Sequence, residues 1–99
     1  MTLKPFLSLV FLFALPAQSL LAADLPADMS AYVNRRAACN YWPFEKAGKD
    51  KVRKAEIERH VRNLNCDTLA REEVILQARY RDDPAMLEAI ADARDALPD

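Results

Sequence analysis

The sequence predicts an all-α protein, a small three- or four-helix bundle stapled by one disulfide. Three observations predict this fold. Apolar residues recur at three- and four-residue intervals in several segments after residue 24. No segment alternates apolar and polar residues over the length of a strand. Two cysteines, Cys39 and Cys66, lie 27 positions apart.

Residues 1–23 have the pattern of a secretory signal peptide. Lys4 is the only charge in this segment, an apolar run covers residues 6–15, and small residues follow Pro16. Cleavage is expected after Ala22 or Ala23, with Ser19 as an alternative. A retained N-terminal anchor is the other interpretation, but the run is shorter than the ~20 apolar residues that span a bilayer. The prediction is therefore a periplasmic or secreted chain, residues 24–99, with no stable membrane insertion after cleavage.

An exported chain meets an oxidising environment, so a disulfide between Cys39 and Cys66 is expected. In the chain-entropy account, closing a loop of this length stabilises the fold by roughly 3–4 kcal/mol. The spacing is unlike the C-x-x-C of a redox pair. A catalytic cysteine would leave the other thiol unexplained. A zinc site would need more ligands than His60, the only histidine, can add.

The first helix is expected to begin near residues 26–28, because proline suits a first helical turn and acids favour it. Its inward stripe ends on the first cysteine and comprises Met29, Tyr32, Val33, Arg36 and Cys39. Pro43 ends the pattern, so residues 40–49 are expected to form a loop. The loop carries Tyr41, Trp42 and Phe44. These aromatics are interpreted either as a lid on the disulfide end of the core or as a contact surface for a partner.

The second helix is expected from an N-cap at Asp50 to about Asn63, with Ile57, Val61 and Leu64 inward. A turn at residues 65–68 leads into a third helix that ends near Arg81. Its wide apolar surface suggests the central helix of the bundle, and its apolar positions are Leu69, Val74, Ile75, Leu76, Ala78 and Tyr80.

The fourth helix is expected over residues 84–96, capped by Asp83 and ended by Pro98. Its apolar face comprises Met86, Leu87, Ile90, Ala93 and Leu97.

Charge is unevenly distributed along residues 24–99. Residues 35–62 carry a net charge of +5, whereas residues 67–99 carry −5. Without Lys4 there are 13 basic and 15 acidic residues. The simple interpretation is two solvated faces that attract each other weakly. The functional interpretation is a basic surface that docks on an envelope protein, an anionic envelope polymer or a lipid head group. It combines the aromatic loop with the basic run, namely Tyr41, Trp42, Phe44, Lys46, Lys49, Lys51, Arg53 and Lys54.

Several chemistries are disfavoured by the sequence, and no cofactor or metal is expected. One glycine cannot build a glycine-rich phosphate loop. Glu56 precedes His60 by one helical turn, but His60 is interpreted as a solvated residue of a charged helix. The adjacent acids Glu72 and Glu73 are interpreted as a solvated face, because neighbours on a helix do not face each other. Nucleic acid is not expected as the partner of an exported, net acidic chain.

The chain resembles a group of small exported bacterial proteins of unassigned function. The resemblance covers about residues 35–95 and rests on the run Ala38-Cys39-Asn40-Tyr41-Trp42 with Glu45, on Ile57 and Leu64-Asn65-Cys66, and on Glu72-Glu73 and Tyr80. It implies export and a helical, disulfide-bonded fold, and it implies no activity.

Together these features predict an exported, non-catalytic accessory or interaction protein that binds its partner by an aromatic and basic surface. One alternative is a structural or envelope-stress protein with no dedicated site. The other is a small enzyme built on His60 and Glu56, for which a chain this short offers little depth.

Overall fold

A computed structural model describes residues 24–99, and the predicted signal peptide lies outside these described residues. Four α-helices follow one another: α1 (Ala27–Tyr41), α2 (Lys51–Leu64), α3 (Leu69–Arg79) and α4 (Pro84–Ala93). Short 3₁₀ turns, Trp42–Phe44 and Cys66–Thr68, lie on either side of α2. No strand occurs between residues 24 and 99, so the predicted all-α class is confirmed.

The predicted disulfide is also confirmed. Cys39 and Cys66 are bonded, with their Cα atoms 5.8 Å apart. Cys39 lies near the end of α1 and is 7% exposed. Cys66 opens the 3₁₀ turn between α2 and α3. The bond therefore ties the end of α1 to the junction of the next two helices.

The core forms where α1, α3 and α4 meet. Tyr32 and Met29 from α1, Leu69 from α3 and Ile90 from α4 are its most completely buried large side chains. The predicted stripes of α1 and α4 supply most of this core. Leu97 was expected on the α4 face but is 63% exposed, because the helix ends before reaching it.

The central helix is α1, and the prediction that α3 is central was wrong. α1 packs against each of the other three helices. On α3, Leu69 and Leu76 are buried, but Val74 and Ile75 remain 62% and 46% exposed. The apolar surface of α3 is thus wider than the face that its neighbours cover.

Two of the predicted helix caps are present. The Asp50 side chain accepts a hydrogen bond from the backbone N–H of Arg53, and Asp83 accepts one from the N–H of Met86. Asn65 ends α2 in the left-handed conformation (φ 52°), which asparagine tolerates better than most residues. Helices α2 and α4 therefore begin where the sequence indicates.

Three helix ends differ from the prediction. α3 ends at Arg79 rather than near Arg81. α1 continues through Asn40 and Tyr41, which were expected to lie in the loop. α4 stops at Ala93 rather than near Ala96. The early end of α4 coincides with a contact from Asn40, whose side-chain amide donates to the carbonyls of Ala93 (3.2 Å), Arg94 (3.0 Å) and Ala96 (2.8 Å). A side chain on α1 thus binds carbonyls at and after the end of α4, where a helix leaves its last carbonyls without intrahelical partners.

Ion pairs join α1 to α3. Glu72 accepts a hydrogen bond from Arg35 at 2.5 Å, and Glu73 accepts one from Arg36 at 3.0 Å. Glu73 also accepts from Arg94, and its side chain is only 13% exposed. The interpretation of these two acids as a solvated face was therefore wrong. Successive residues point to different neighbours, and both neighbours here are arginines.

Helix α2 has no buried residue, unlike the other three helices. Ile57, Val61 and Leu64 face inward but are only partly covered. α2 packs on α1 and on the Trp42–Phe44 turn.

None of the helices between residues 24 and 99 combines the length and the hydrophobicity that a membrane span requires.

Candidate functional site

The aromatic turn after α1 packs on α2. The indole ring of Trp42 stacks on the imidazole of His60, with centroids 3.8 Å apart and planes 13° apart. Tyr41 meets Trp42 edge to face at 5.1 Å. Within the described chain, Trp42 is neither a member of the buried core nor among the side chains packed against it. The turn therefore packs between α1 and α2 and does not cover the core as a lid.

Arg53, on α2, contacts the same turn. Its guanidinium donates to Glu56 (2.7 Å), Glu45 (2.9 Å) and the Tyr41 hydroxyl (3.3 Å). Its Cζ lies 5.0 Å from the centre of the Trp42 ring, within cation–π range. The hydrogen bonds to Glu56 and Glu45 raise the pKa of Arg53, and the bonds from Arg53 and Tyr41 lower the pKa of Glu45.

These contacts divide the eight predicted contact residues into two groups. Tyr41, Trp42 and Arg53 are half-buried and contact one another. Phe44 is 74% exposed. The remaining members are the exposed lysines Lys46, Lys49, Lys51 and Lys54. The first group holds the turn against α2, and the second group is exposed.

The exposed group has an unusual composition. All the lysines of residues 24–99 fall between positions 46 and 54. None of them forms a salt bridge with another residue of the described chain. Val52, at 81% exposure, lies among them in the first turn of α2. We call these six residues the lysine surface: Phe44, Lys46, Lys49, Lys51, Val52 and Lys54.

The acids near the lysine surface are already engaged. Glu45 is paired with Arg53 at 2.9 Å. Asp50 accepts the backbone N–H of Arg53 at 3.0 Å as the cap of α2. A shallow depression of about 410 Å³ lies here, lined by Gly48, Lys49, Asp50, Lys51 and Lys54. Gly48 has φ +60°, and a Cβ at this position would meet nothing within 4 Å. The lysines therefore surround an open surface rather than a closed cavity.

His60 and Glu56 do not act on one another in this fold. Glu56 accepts a hydrogen bond from Arg53, and His60 stacks on Trp42. The expectation of a simply solvated His60 was therefore wrong, since the ring is half-buried against an indole. Among residues 24–99, no group of three or more His, Cys, Asp or Glu side chains could hold a metal ion.

Two other depressions open on the described surface. One, of about 310 Å³, lies between α1 and α3, with Tyr32, Arg35, Glu72 and Ile75 among its lining residues. The other, of about 400 Å³, lies between the aromatic pair Tyr41 and Trp42 and the segment after α4. Apolar and charged residues line both depressions.

Sequence reasoning missed the part that Val52 plays in the lysine surface. Val52 breaks the inward stripe of α2, which was the signal that it faces solvent. It also missed the difference between the lysines and the arginines. Three of the nine arginines of residues 24–99 form no ion pair there, namely Arg59, Arg62 and Arg71. The other six are paired with carboxylates, namely Arg35, Arg36, Arg53, Arg79, Arg81 and Arg94.

Compared with protein-family models, curated proteins and solved structures, the chain shows no significant match.

Proposed function

We propose that the protein is an exported, non-catalytic accessory module that attaches to an anionic component of the cell envelope through the lysine surface. The single observation that carries this proposal is the segregation of every lysine of residues 24–99 onto one short stretch, exposed and without ion pairs. A charged surface with no internal partner raises the local concentration of oppositely charged binding partners.

The exposed aromatic supports the same role. Phe44 follows Pro43, whose ring fixes the backbone, and it is 74% exposed. Aromatic residues are enriched at binding interfaces because they bury a large area for little loss of side-chain entropy. The rest of the turn is held by Trp42 and Arg53, so Phe44 is presented from a fixed position.

Export is part of this proposal. The signal-peptide pattern of residues 1–23 and the Cys39–Cys66 bond support it, since disulfides persist in oxidising compartments. Mass spectrometry of the chain recovered from the periplasm or medium should give an N-terminus at Asp24 or Ala23. An intact Met1 on the exported chain would contradict the predicted cleavage, and a chain found only in the cytoplasm would contradict export.

Attachment is tested by fractionating cells that produce a C-terminally tagged chain. We expect the protein in the envelope fraction at low salt and its release at high salt. The double variant K51E/K54E should move to the soluble fraction. R71E/R81E makes the same charge change at exposed positions on and just after α3 and should behave as wild type. If both double variants fractionate like wild type, the lysine surface is not an attachment site.

A further inference from the structure

We infer that the envelope component bound by the lysine surface is an anionic lipid bilayer, on which the protein adsorbs without inserting a helix. This inference rests on the proposed function and names the partner of the same surface. Its first support is the kind of cation used. Lysine is a compact, strongly hydrated point charge, whereas arginine suits bidentate recognition of a single carboxylate or phosphate. A surface of lysines alone fits a diffuse layer of charge better than one defined anionic group.

Arginine and lysine side chains make different contacts in this region. Arg53 lies within the same stretch as the lysines but donates to Glu45, Glu56 and Tyr41. The four lysines around it make no side-chain ion pair in residues 24–99. The arginine thus fixes the local structure, and the lysines leave their charge available to a partner.

The apolar members of the lysine surface give the second support. Phe44 and Val52 are 74% and 81% exposed, the highest values among the exposed large apolar residues of the described chain. Both lie within the stretch that carries the lysines. Exposed apolar side chains among lysines are typical of surfaces that rest in the headgroup region, where lysines meet anionic lipid and apolar groups reach the acyl boundary.

Charge elsewhere on the molecule explains why adsorption would be oriented. The acids outside this region belong mainly to α3, α4 and the segments around them, and residues 67–99 carry a net charge of −5. A chain with more acids than bases overall is not drawn to an anionic membrane by its net charge. The lysine surface carries the densest positive charge, and the exposed Arg59 and Arg62 lie farther along the same helix, α2. The lysine surface would therefore face the bilayer, and the acidic helices would be repelled from it.

The test uses the predicted mature chain, residues 24–99, with the Cys39–Cys66 disulfide formed. Binding is measured by co-sedimentation with vesicles of phosphatidylcholine alone and of phosphatidylcholine with about one-third phosphatidylglycerol. We expect binding to the anionic vesicles only. Raising the salt from about 0.1 M to about 1 M, which shortens the Debye length from about 10 Å to about 3 Å, should release the protein.

Variants assign the binding to the lysine surface. Each lysine near an anionic membrane contributes roughly fivefold to partitioning, so K51E/K54E should lose at least about 25-fold. Both substitutions place acids in the first turns of α2, where they favour the helix, so the fold should persist. F44S should lose roughly tenfold through its apolar contact. R71E/R81E, with the same change in net charge, should lose less than about threefold.

Several results would overturn the lipid inference. Equal binding to neutral and anionic vesicles would do so, as would equal losses in K51E/K54E and R71E/R81E. Lysine-dependent binding to a soluble anionic polymer such as dextran sulfate, without vesicle binding, would identify a polymer as the partner instead. If vesicles do not bind but envelope fractionation still depends on the lysines, the proposed function stands and the lipid inference falls. If neither depends on them, both fall.

Discussion

A single asparagine on α1 binds the end of α4. Asn40 lies in the last turn of α1, and its amide donates to three carbonyls at and after the end of α4. Helix α1 therefore supplies the donor that α4 lacks after Ala93. This is a tertiary cap rather than a local one, which explains why the sequence around residue 96 gives no sign of the early stop.

Replacing Asn40 should destabilise the fold in a graded way. N40A removes the donor but lets water reach the partly exposed carbonyls, so a loss of about 1 kcal/mol is expected. N40D places a carboxylate against carbonyl oxygens at the negative end of a helix and should cost about 2 kcal/mol. Urea unfolding monitored by circular dichroism measures both values.

The matched control is Asn34, an exposed residue of the same helix. N34A and N34D should change the free energy of unfolding by less than about 0.5 kcal/mol. Equal losses at positions 34 and 40 would show that helix propensity, and not the contact with α4, determines the result.

At the scale of elements, α2 differs from the other helices. It contributes no buried residue and is held by the Trp42–His60 stack, the Arg53 cluster and the disulfide at its far end. Local opening is easiest where few apolar contacts must be broken. α2 should therefore exchange its amide hydrogens faster than α1, which packs against every other helix.

Removing the stack should loosen α2 alone. An aromatic pair and a cation–π contact each contribute on the order of 1 kcal/mol, so W42A should speed amide exchange in α2 by about tenfold or more. Exchange in α1, α3 and α4 should change little. Hydrogen exchange followed by NMR measures each helix separately.

The neighbouring Phe44 is the control for this prediction. It belongs to the same turn but is 74% exposed, so F44A should leave the exchange of α2 unchanged. Uniform acceleration of all four helices in W42A would mean that Trp42 supports the whole core, as the lid interpretation holds.

Local patterns in the sequence predicted what depends on local chemistry. The caps Asp50 and Asp83, the inward position of Cys39 and its disulfide all follow from spacing and residue type, and the structure confirms them. The arrangement of the helices around the core does not follow from these local patterns. Helix α3 has the wider apolar surface, yet α1 is central, because which faces are covered depends on how the helices are arranged in space.

The candidate site was likewise predicted only in part from the sequence. The sequence identified the basic run and the aromatic loop, but it could not separate members that face solvent from members that hold the fold. Arg53 and Lys54 are neighbours in sequence. Arg53 donates to carboxylates and contacts an indole ring, whereas Lys54 is exposed. That difference is set by helix phase relative to Trp42 and Glu45, which come from another segment of the chain.

At the scale of the whole molecule, carboxylates on α1 and α3 join the helices around the core. Hydrogen bonds from Arg94 and Arg36 hold the pKa of Glu73 below its ordinary value of 4.5. The bond from Arg35 lowers the pKa of Glu72 in the same way. On α1, the bond from Tyr80 lowers the pKa of Asp28 below 3.8. All three shifts favour the ionised group in the folded state.

The protein should therefore lose stability in acid. A pKa that is lower in the folded state means that the unfolded chain binds protons more readily, so protonation favours unfolding. This contribution is complete above about pH 5 and is lost as the pH falls through 4.5 towards the lowered values of the folded state. The melting temperature should stay nearly constant from about pH 7 to 5 and then decline steeply.

The double variant E72Q/E73Q separates these carboxylates from the general effect of acid. It should melt lower than wild type at neutral pH, because the arginines on α1 lose their charged partners. Its further decline below pH 4.5 should be shallower, because two of the groups that bind protons on unfolding are gone. D82N alters a carboxylate that is 95% exposed and should retain the wild-type profile. An acid decline in E72Q/E73Q as steep as that of wild type would place the origin of acid sensitivity outside Glu72 and Glu73.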